Sequence, residues 1–192
     1  DVVKKVALSA TYGTTAPKMA TLIGKSMAEA QDVINRYFEQ FPSVHKLMMT
    51  THEQAKKDGQ VINLFGRPRR MPEAKLIGKL FGKTPHEELP YEYRNTLNLA
   101  INHTIQSTGA SIMNRAAIRF CELRKELAID DPRWNSVKIA LQVHDQLILE
   151  GPVELEEDMK TVLQHSMEKT VFLPGVELLA EPFSSYDLAG QK

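Results

Sequence analysis

His144 and Asp145 sit where two alternating apolar runs meet, Val137, Ile139, Leu141 and Val143 before them and Leu147 and Leu149 after. That period of two, broken by a two-residue junction, predicts a β-hairpin with an acidic residue at its tip. A carboxylate held on a rigid tip suits Mg²⁺ beside a polyphosphate, because magnesium takes oxygen ligands and keeps several waters. His and Asp also favour tight turns for conformational reasons alone, and spacing leaves both readings open. A second chemical signal is basic. Arg67, Arg69, Arg70, Lys75, Lys79 and Lys83 follow one another with Glu73 as the only acid among them. Such a block is either a solvated surface or a patch for phosphates. Asn102 and Gln106, four apart, share one face of a helix, where a polar stripe against solvent is the plain alternative.

Other chemistries find little support. The single Cys121 excludes an intramolecular disulfide and a Cys-rich zinc site. The six histidines have no metal-ligand spacing among themselves. Net charge is zero, so only the distribution of charge, with an acidic stretch at Glu150–Asp158 opposing the basic block, speaks to partners.

Positioning these residues requires an ordered set of elements. A helix is expected over Val2–Tyr12, stopped at Gly13. Ser26 and Glu29 form a capping-box pattern ahead of Ala30, Val33, Ile34, Tyr37, Phe38 and Phe41 on one face. Pro42 and Ser43 interrupt that face before a further helical stretch towards Ala55. A strand is expected over Val61–Phe65, irregular chain over Arg67–Pro90, and a long helix over Tyr93–Leu127. The hairpin follows, then a helix from Pro152 with acidic residues in its first turn, which suits the helix dipole, and a last strand over Val176–Ala180. Helices followed by helix, hairpin, helix and strand make an α+β architecture with a small antiparallel sheet and packing helices.

Five stretches together carry a family resemblance. Leu141-Gln142-Val143-His144-Asp145-Gln146-Leu147 resembles motif C of family A DNA polymerases, usually written Val-His-Asp-Glu. Lys4, Tyr12 and Gly13 resemble the second half of motif B, the fingers helix. Asn102, Gln106, Thr108, Gly109 and Ala110 look like the family's Asn-x3-Gln-Gly-Thr-Ala-Ala segment. Leu64-Phe65-Gly66-Arg67-Pro68-Arg69-Arg70-Met71-Pro72 resembles its Leu-Phe-Gly-Arg-Arg-Arg hairpin. Tyr37-Phe38 with Phe41-Pro42-Ser43-Val44 fits its Tyr-Phe-x-x-Tyr-Pro-x-Val helix.

The resemblance implies a fingers portion over 1–92 and a palm portion over 93–192. It implies template-directed DNA synthesis by two-metal nucleotidyl transfer from dNTP to a primer 3′-hydroxyl. Asp145 is then a metal ligand for Mg²⁺, Lys4 faces the triphosphate, and His144 supports the primer terminus or the turn. Lys4, Leu8 and Tyr12 are nucleotide-side residues, with Tyr12 stacking at the templating position and Gly13 letting the chain turn. Asn102 and Gln106 reach minor-groove acceptors, which lie in nearly the same place for every correct pair. Arg67, Arg69 and Arg70 meet template-primer phosphates or sugars. Several positions depart from the family pattern. Leu8 stands where Phe or Tyr is usual, Ser9 replaces glycine, Pro68 replaces an arginine, Asn98 replaces an arginine, and Gln146 replaces a glutamate.

Motif A, with the other metal-binding aspartate, has no Asp-Tyr-Ser-like candidate in these 192 residues. The expectation is an upstream polymerase polypeptide carrying motif A and the thumb, joining a DNA template-primer and dNTP as partners. No apolar run is long enough for a membrane span, and the resemblance implies a cytoplasmic or nucleoid-associated setting in a bacterium or a phage-infected host, with an organelle left open. Three rival readings remain. One is a catalytically inactive fragment that grips template-primer. Another is a single-subunit RNA polymerase relative, which usually carries serine after His-Asp. The third is a generic α+β interaction domain.

Overall fold

The computed structural model describes residues 2–82 and 84–187. Lys83, the last member of the basic block, lies outside the described residues. The order is α1 (Val2–Thr11), α2 (Ala16–Ile23), α3 (Met27–Gln40), α4 (Pro42–Asp58), β1 (Gln60–Ile62), β2 (Pro68–Arg70), α5 (Pro72–Phe81), α6 (Tyr91–Asp130), β3 (Lys138–Val143), β4 (Gln146–Glu150) and α7 (Glu156–Glu168). Short 3-10 turns precede α6, β3 and α7. The α+β class holds, with two antiparallel two-stranded sheets, β1–β2 and β3–β4. No described helix is long and apolar enough to cross a membrane.

Two compact units divide the chain, residues 1–107 and residues 108–192. The division falls inside α6, which is therefore common to both. In the first unit, Ala10, Met19, Ala30 and Ile34 form one buried cluster and Ala55, Val61, Met71, Ala74, Ile77, Leu89, Leu97 and Ala100 a second. In the other unit, Phe120, Trp134, Val137 and Leu155 pack beside Met113, Ala116 and Leu147. Each such side chain removed from water contributes roughly 1.5–3 kcal/mol when it is as large as Leu or Phe.

The expected capping box is present: the Ser26 hydroxyl accepts from the Glu29 N–H at 3.3 Å and the Glu29 carboxylate accepts from the Ser26 N–H at 3.0 Å. The Ser26 hydroxyl donating to the Glu29 carboxylate, and then the Ser26 N–H, hold the Glu29 pKa below its ordinary value.

The break expected at Pro42 is present: α3 ends at Gln40, and Pro42 opens α4 at its first position, where the missing N–H costs nothing. Several expectations are corrected. The strand at Val61 stops at Ile62. The stretch 67–90 is largely regular, holding β2 and α5. Gly78 looks like a breaker there, yet it lies inside α5, because a Cβ at that position would meet the Lys56 carbonyl oxygen at 2.5 Å. Glycine is present for close packing of α5 on α4. The short α2 was not anticipated, and Pro17 in its first turn is compatible with a helix start.

No strand forms over Val176–Ala180; a single bridge joins Leu173 and Val176. The main chain of Ala180 is satisfied by side chains of α7 instead, its N–H donating to Glu168 and its carbonyl accepting from Gln164.

Candidate functional site

The residues singled out in the sequence fall into three places. The first lies in the unit 1–107, where the end of α1 meets α6. Gly13 has φ of +73°, a left-handed conformation that favours glycine. A Cβ there would also lie 2.3 Å from Asn98 Oδ1. Asn98 Nδ2 donates to the Gly13 carbonyl at 2.9 Å, while its Oδ1 is buried without a hydrogen-bond partner. Two turns further along α6, Gln106 Nε2 donates to the Tyr12 hydroxyl at 2.8 Å. Thr11 Oγ1 lies 2.6 Å from the Tyr37 hydroxyl, tying the same end of α1 to α3.

A cleft of about 370 Å³ opens beside these contacts, lined among others by Leu8, Ser9, Tyr12, Gly13, Asn98 and Asn102. Four expected residues are thus brought to one place, and Gln106 is bonded to one of them. Lys18 and Tyr91 line the cleft as well. The ammonium of Lys18 sits 5.4 Å from the Tyr91 ring centroid and 3.5 Å from its hydroxyl, a cation–π arrangement. Lys4 is exposed on α1 and is not among the lining residues.

The second place is the basic hairpin, with Arg67, Arg69 and Arg70 all exposed. Its strands pair Gln60 with Arg70, Val61 with Arg69 and Ile62 with Pro68. Buried Val61 anchors it to the core. The turn is organised by Asn63, a residue that the sequence reading passed over. An Asn three residues before Gly66 is a turn signal that would have found it.

The third place is in the unit 108–192. His144 and Asp145 form the junction between β3 and β4, both exposed, with His144 at φ +51°. That conformation is uncommon for a non-glycine residue, though His and Asn tolerate it better than most. The register pairs Ile139 with Leu149 but Leu141 with Ile148, so Ala140 is an extra residue in β3. A β-bulge of this kind reverses which side chains face the core. Leu147 is consequently buried opposite Gln142, whereas Leu141 and Val143, expected on the packed face, are exposed. Gln142 Nε2 in turn reaches Asn114 Oδ1 at 3.5 Å.

Asp145 supplies a hard carboxylate of the type magnesium takes. Among the described residues no group of three His, Cys, Asp or Glu is assembled for a metal. The donor set here thus fits one ligand position, with Gln146 adding only a neutral side-chain oxygen.

Comparison with known proteins gives these places a context. The sequence pattern of the family described as DNA polymerase family A matches residues 1–182. DNA polymerase I of Caldicellulosiruptor bescii is 32% identical over 170 residues, which covers 88% of this chain and 18% of the relative. The thermostable DNA polymerase I of Thermus aquaticus is 28% identical, covering 93% of this chain and 18% of the relative. The chain therefore spans about a fifth of the length of these relatives. The polymerase domain of Pol1 from M. smegmatis, in complex with DNA primer-template and dNTP, superposes with a TM-score of 0.74 at 25% identity, covering 93% of this chain and 28% of that one. With the family pattern matched over nearly all of its length, the chain belongs to DNA polymerase family A.

Proposed function

We propose that this chain serves template-directed DNA synthesis as the C-terminal portion of a family A polymerase, with residues 1–92 acting as fingers and 93–192 as palm. Motif A and the thumb come from an upstream polypeptide. The observation that carries this reading is the meeting of Tyr12, Gly13 and Asn102 at one cleft, with Gln106, 94 residues from Tyr12, hydrogen-bonded to its hydroxyl. A stacking ring, a turn and two amides are what a templating position needs: a surface for the base, and donors that test pair geometry without reading sequence.

In this reading Lys4 and Leu8 face the incoming dNTP from α1. The ammonium of Lys4 offsets charge on the triphosphate and on the leaving pyrophosphate. Arg67, Arg69 and Arg70 contribute salt-sensitive contacts to the template-primer backbone. Asp145 would hold magnesium, and when bound the metal ions would activate the primer 3′-hydroxyl and stabilise the leaving oxygen. His144, fixed by the turn, supports the primer terminus. The rival reading, template-primer binding without catalysis, draws on Gln146 in place of a glutamate.

The test is primer extension by the chain with and without a polypeptide carrying motif A and the thumb. Extension is expected only from the mixture. Robust extension by the chain alone would overturn the divided site, and none from either sample would favour the binding fragment.

A further inference from the structure

Three polar residues outside the proposed template and metal sites, Asn63, His103 and Ser107, tie the basic hairpin to α6. Asn63 is 3% exposed. Its Oδ1 accepts from the N–H groups of Phe65 and Arg67, both at 2.9 Å, and its Nδ2 donates to the Ser107 carbonyl at 3.0 Å. The Asn63 N–H donates to the Arg67 carbonyl at 3.0 Å, so the loop is closed from both sides. His103 completes the knot. Its imidazole is hydrogen-bonded to the Arg67 backbone, and its Nε2 lies 3.4 Å from the Ser107 hydroxyl. The charges that face it are Arg67 and Arg69, both on the hairpin; on α6 its partner Ser107 is uncharged.

We propose that His103 forms a phosphate subsite with Arg67 and Arg69, and that it takes up a proton from solvent when a template-primer phosphodiester arrives there. This rests on the duplex-binding reading above. Without a phosphate the neutral form of the ring is favoured. Partial burial first, then the charges of Arg69 and Arg67, push its pKa below the ordinary value, against the opposing pull of the Arg67 backbone bond. A phosphodiester carries one negative charge. Seated on the two guanidinium groups, it cancels their repulsion of an imidazolium and offers an acceptor for its N–H. Nε2, 3.4 Å from the Ser107 hydroxyl, can turn towards it. The bound pKa is thus higher than the free one. Linkage then requires duplex affinity to rise as pH falls through the interval between them, by at most about tenfold per pH unit for one proton. The subsite reads charge and not base sequence.

Fluorescence anisotropy of a labelled template-primer with the full chain tests this at constant ionic strength between pH 7.5 and 5.5, with far-ultraviolet circular dichroism confirming a folded chain at each pH. The affinity should increase about threefold to tenfold over that range. His103→Gln should flatten the profile whatever its affinity at pH 7.5, while His165→Gln, on α7, should keep the rise. Should His103→Gln disturb α6, NMR titration of the His103 ring in the unaltered chain answers the same question, its pKa rising when duplex is added. A flat profile, a rise that persists in His103→Gln, or a His103 pKa that duplex leaves unmoved overturns the subsite while leaving duplex binding intact. A chain that binds duplex at no pH overturns the duplex-binding reading and the subsite with it.

Discussion

The two compact units hold their candidate residues in opposite ways. In residues 1–107 three of the places assigned to template or duplex are gripped by another part of the same unit. Asn98 holds Gly13, Gln106 holds Tyr12, and Asn63 holds the loop that presents Arg67. In residues 108–192 His144 and Asp145 stand exposed on a hairpin tip, and neither side chain makes a hydrogen bond among the described residues. Only backbone geometry positions them. The difference suits the tasks proposed for them. A surface that measures the shape of a base pair gains from being set before the duplex arrives, since each side chain ordered on binding costs about 0.5–1.5 kcal/mol. A carboxylate that is to hold a cation must instead keep its lone pairs unspent.

The largest effect should come from the bare tip. Asp145→Ala removes the oxygen proposed to hold magnesium and, at an exposed tip, nothing buried. Primer extension by the assembled protein should fall at least about a thousandfold, the scale of losing a group that stabilises developing charge. Duplex affinity should stay within about threefold, because the phosphate contacts proposed for this chain lie on the hairpin of Arg67, Arg69 and Arg70. A comparable loss of duplex binding would mean that the tip is not specialised for the metal.

The gripped unit should respond to shape. Gly13→Ala forces a side chain into a left-handed turn and drives its Cβ to 2.3 Å from Asn98 Oδ1. The two penalties together should cost about 2–4 kcal/mol, measured by chemical denaturation. Adding Asn98→Ala should recover the steric share and leave the backbone share. If Gly13→Ala is tolerated within about 0.5 kcal/mol, the turn is not set by this contact.

How much of this was legible beforehand depended on whether a signal was local. The capping box at Ser26 and Glu29, the stop at Gly13, the long helix and the hairpin tip all depend on neighbouring residues, and all appear. The bulge at Ala140 was not legible, since it arises from cross-strand register, and a clean alternation at Ile139, Leu141 and Val143 pointed the other way. Gly78 misled because its reason, the Lys56 carbonyl, is 22 residues distant. The family resemblance named Tyr12, Gln106 and Gly13 but not what holds them. The sequence shows Asn98 only as the loss of an arginine, whereas in the structure it holds the turn at Gly13 in place. Asn63 and His103 drew no notice, because their partners come from other elements.

The third prediction tests whether the contrast between the units extends to their stability. His52, on α4, is 2% exposed and stacks on His86 with ring centroids 4.8 Å apart. Burial first, then the neighbouring charges of His86 and Lys56, push its pKa down to about 3 from 6.5. The folded state therefore refuses a proton that the unfolded chain accepts. Above pH 6.5 neither state binds it and there is no penalty. Between pH 6.5 and about 3 stability falls with acid, by about 1.4 kcal/mol per pH unit, hence roughly 2 kcal/mol at pH 5. His52→Leu should flatten that dependence in denaturation followed by circular dichroism. Trp134, the one tryptophan, lies 3% exposed in the core of the other unit, so its emission gives a separate reading. If acid weakens the unit of residues 1–107 alone, the Trp134 transition moves less than the helical signal. If both move together, the proton on His52 is felt through the whole chain, and the contrast between the units concerns their sites and not their stability. A pH dependence unchanged by His52→Leu would remove His52 from the account.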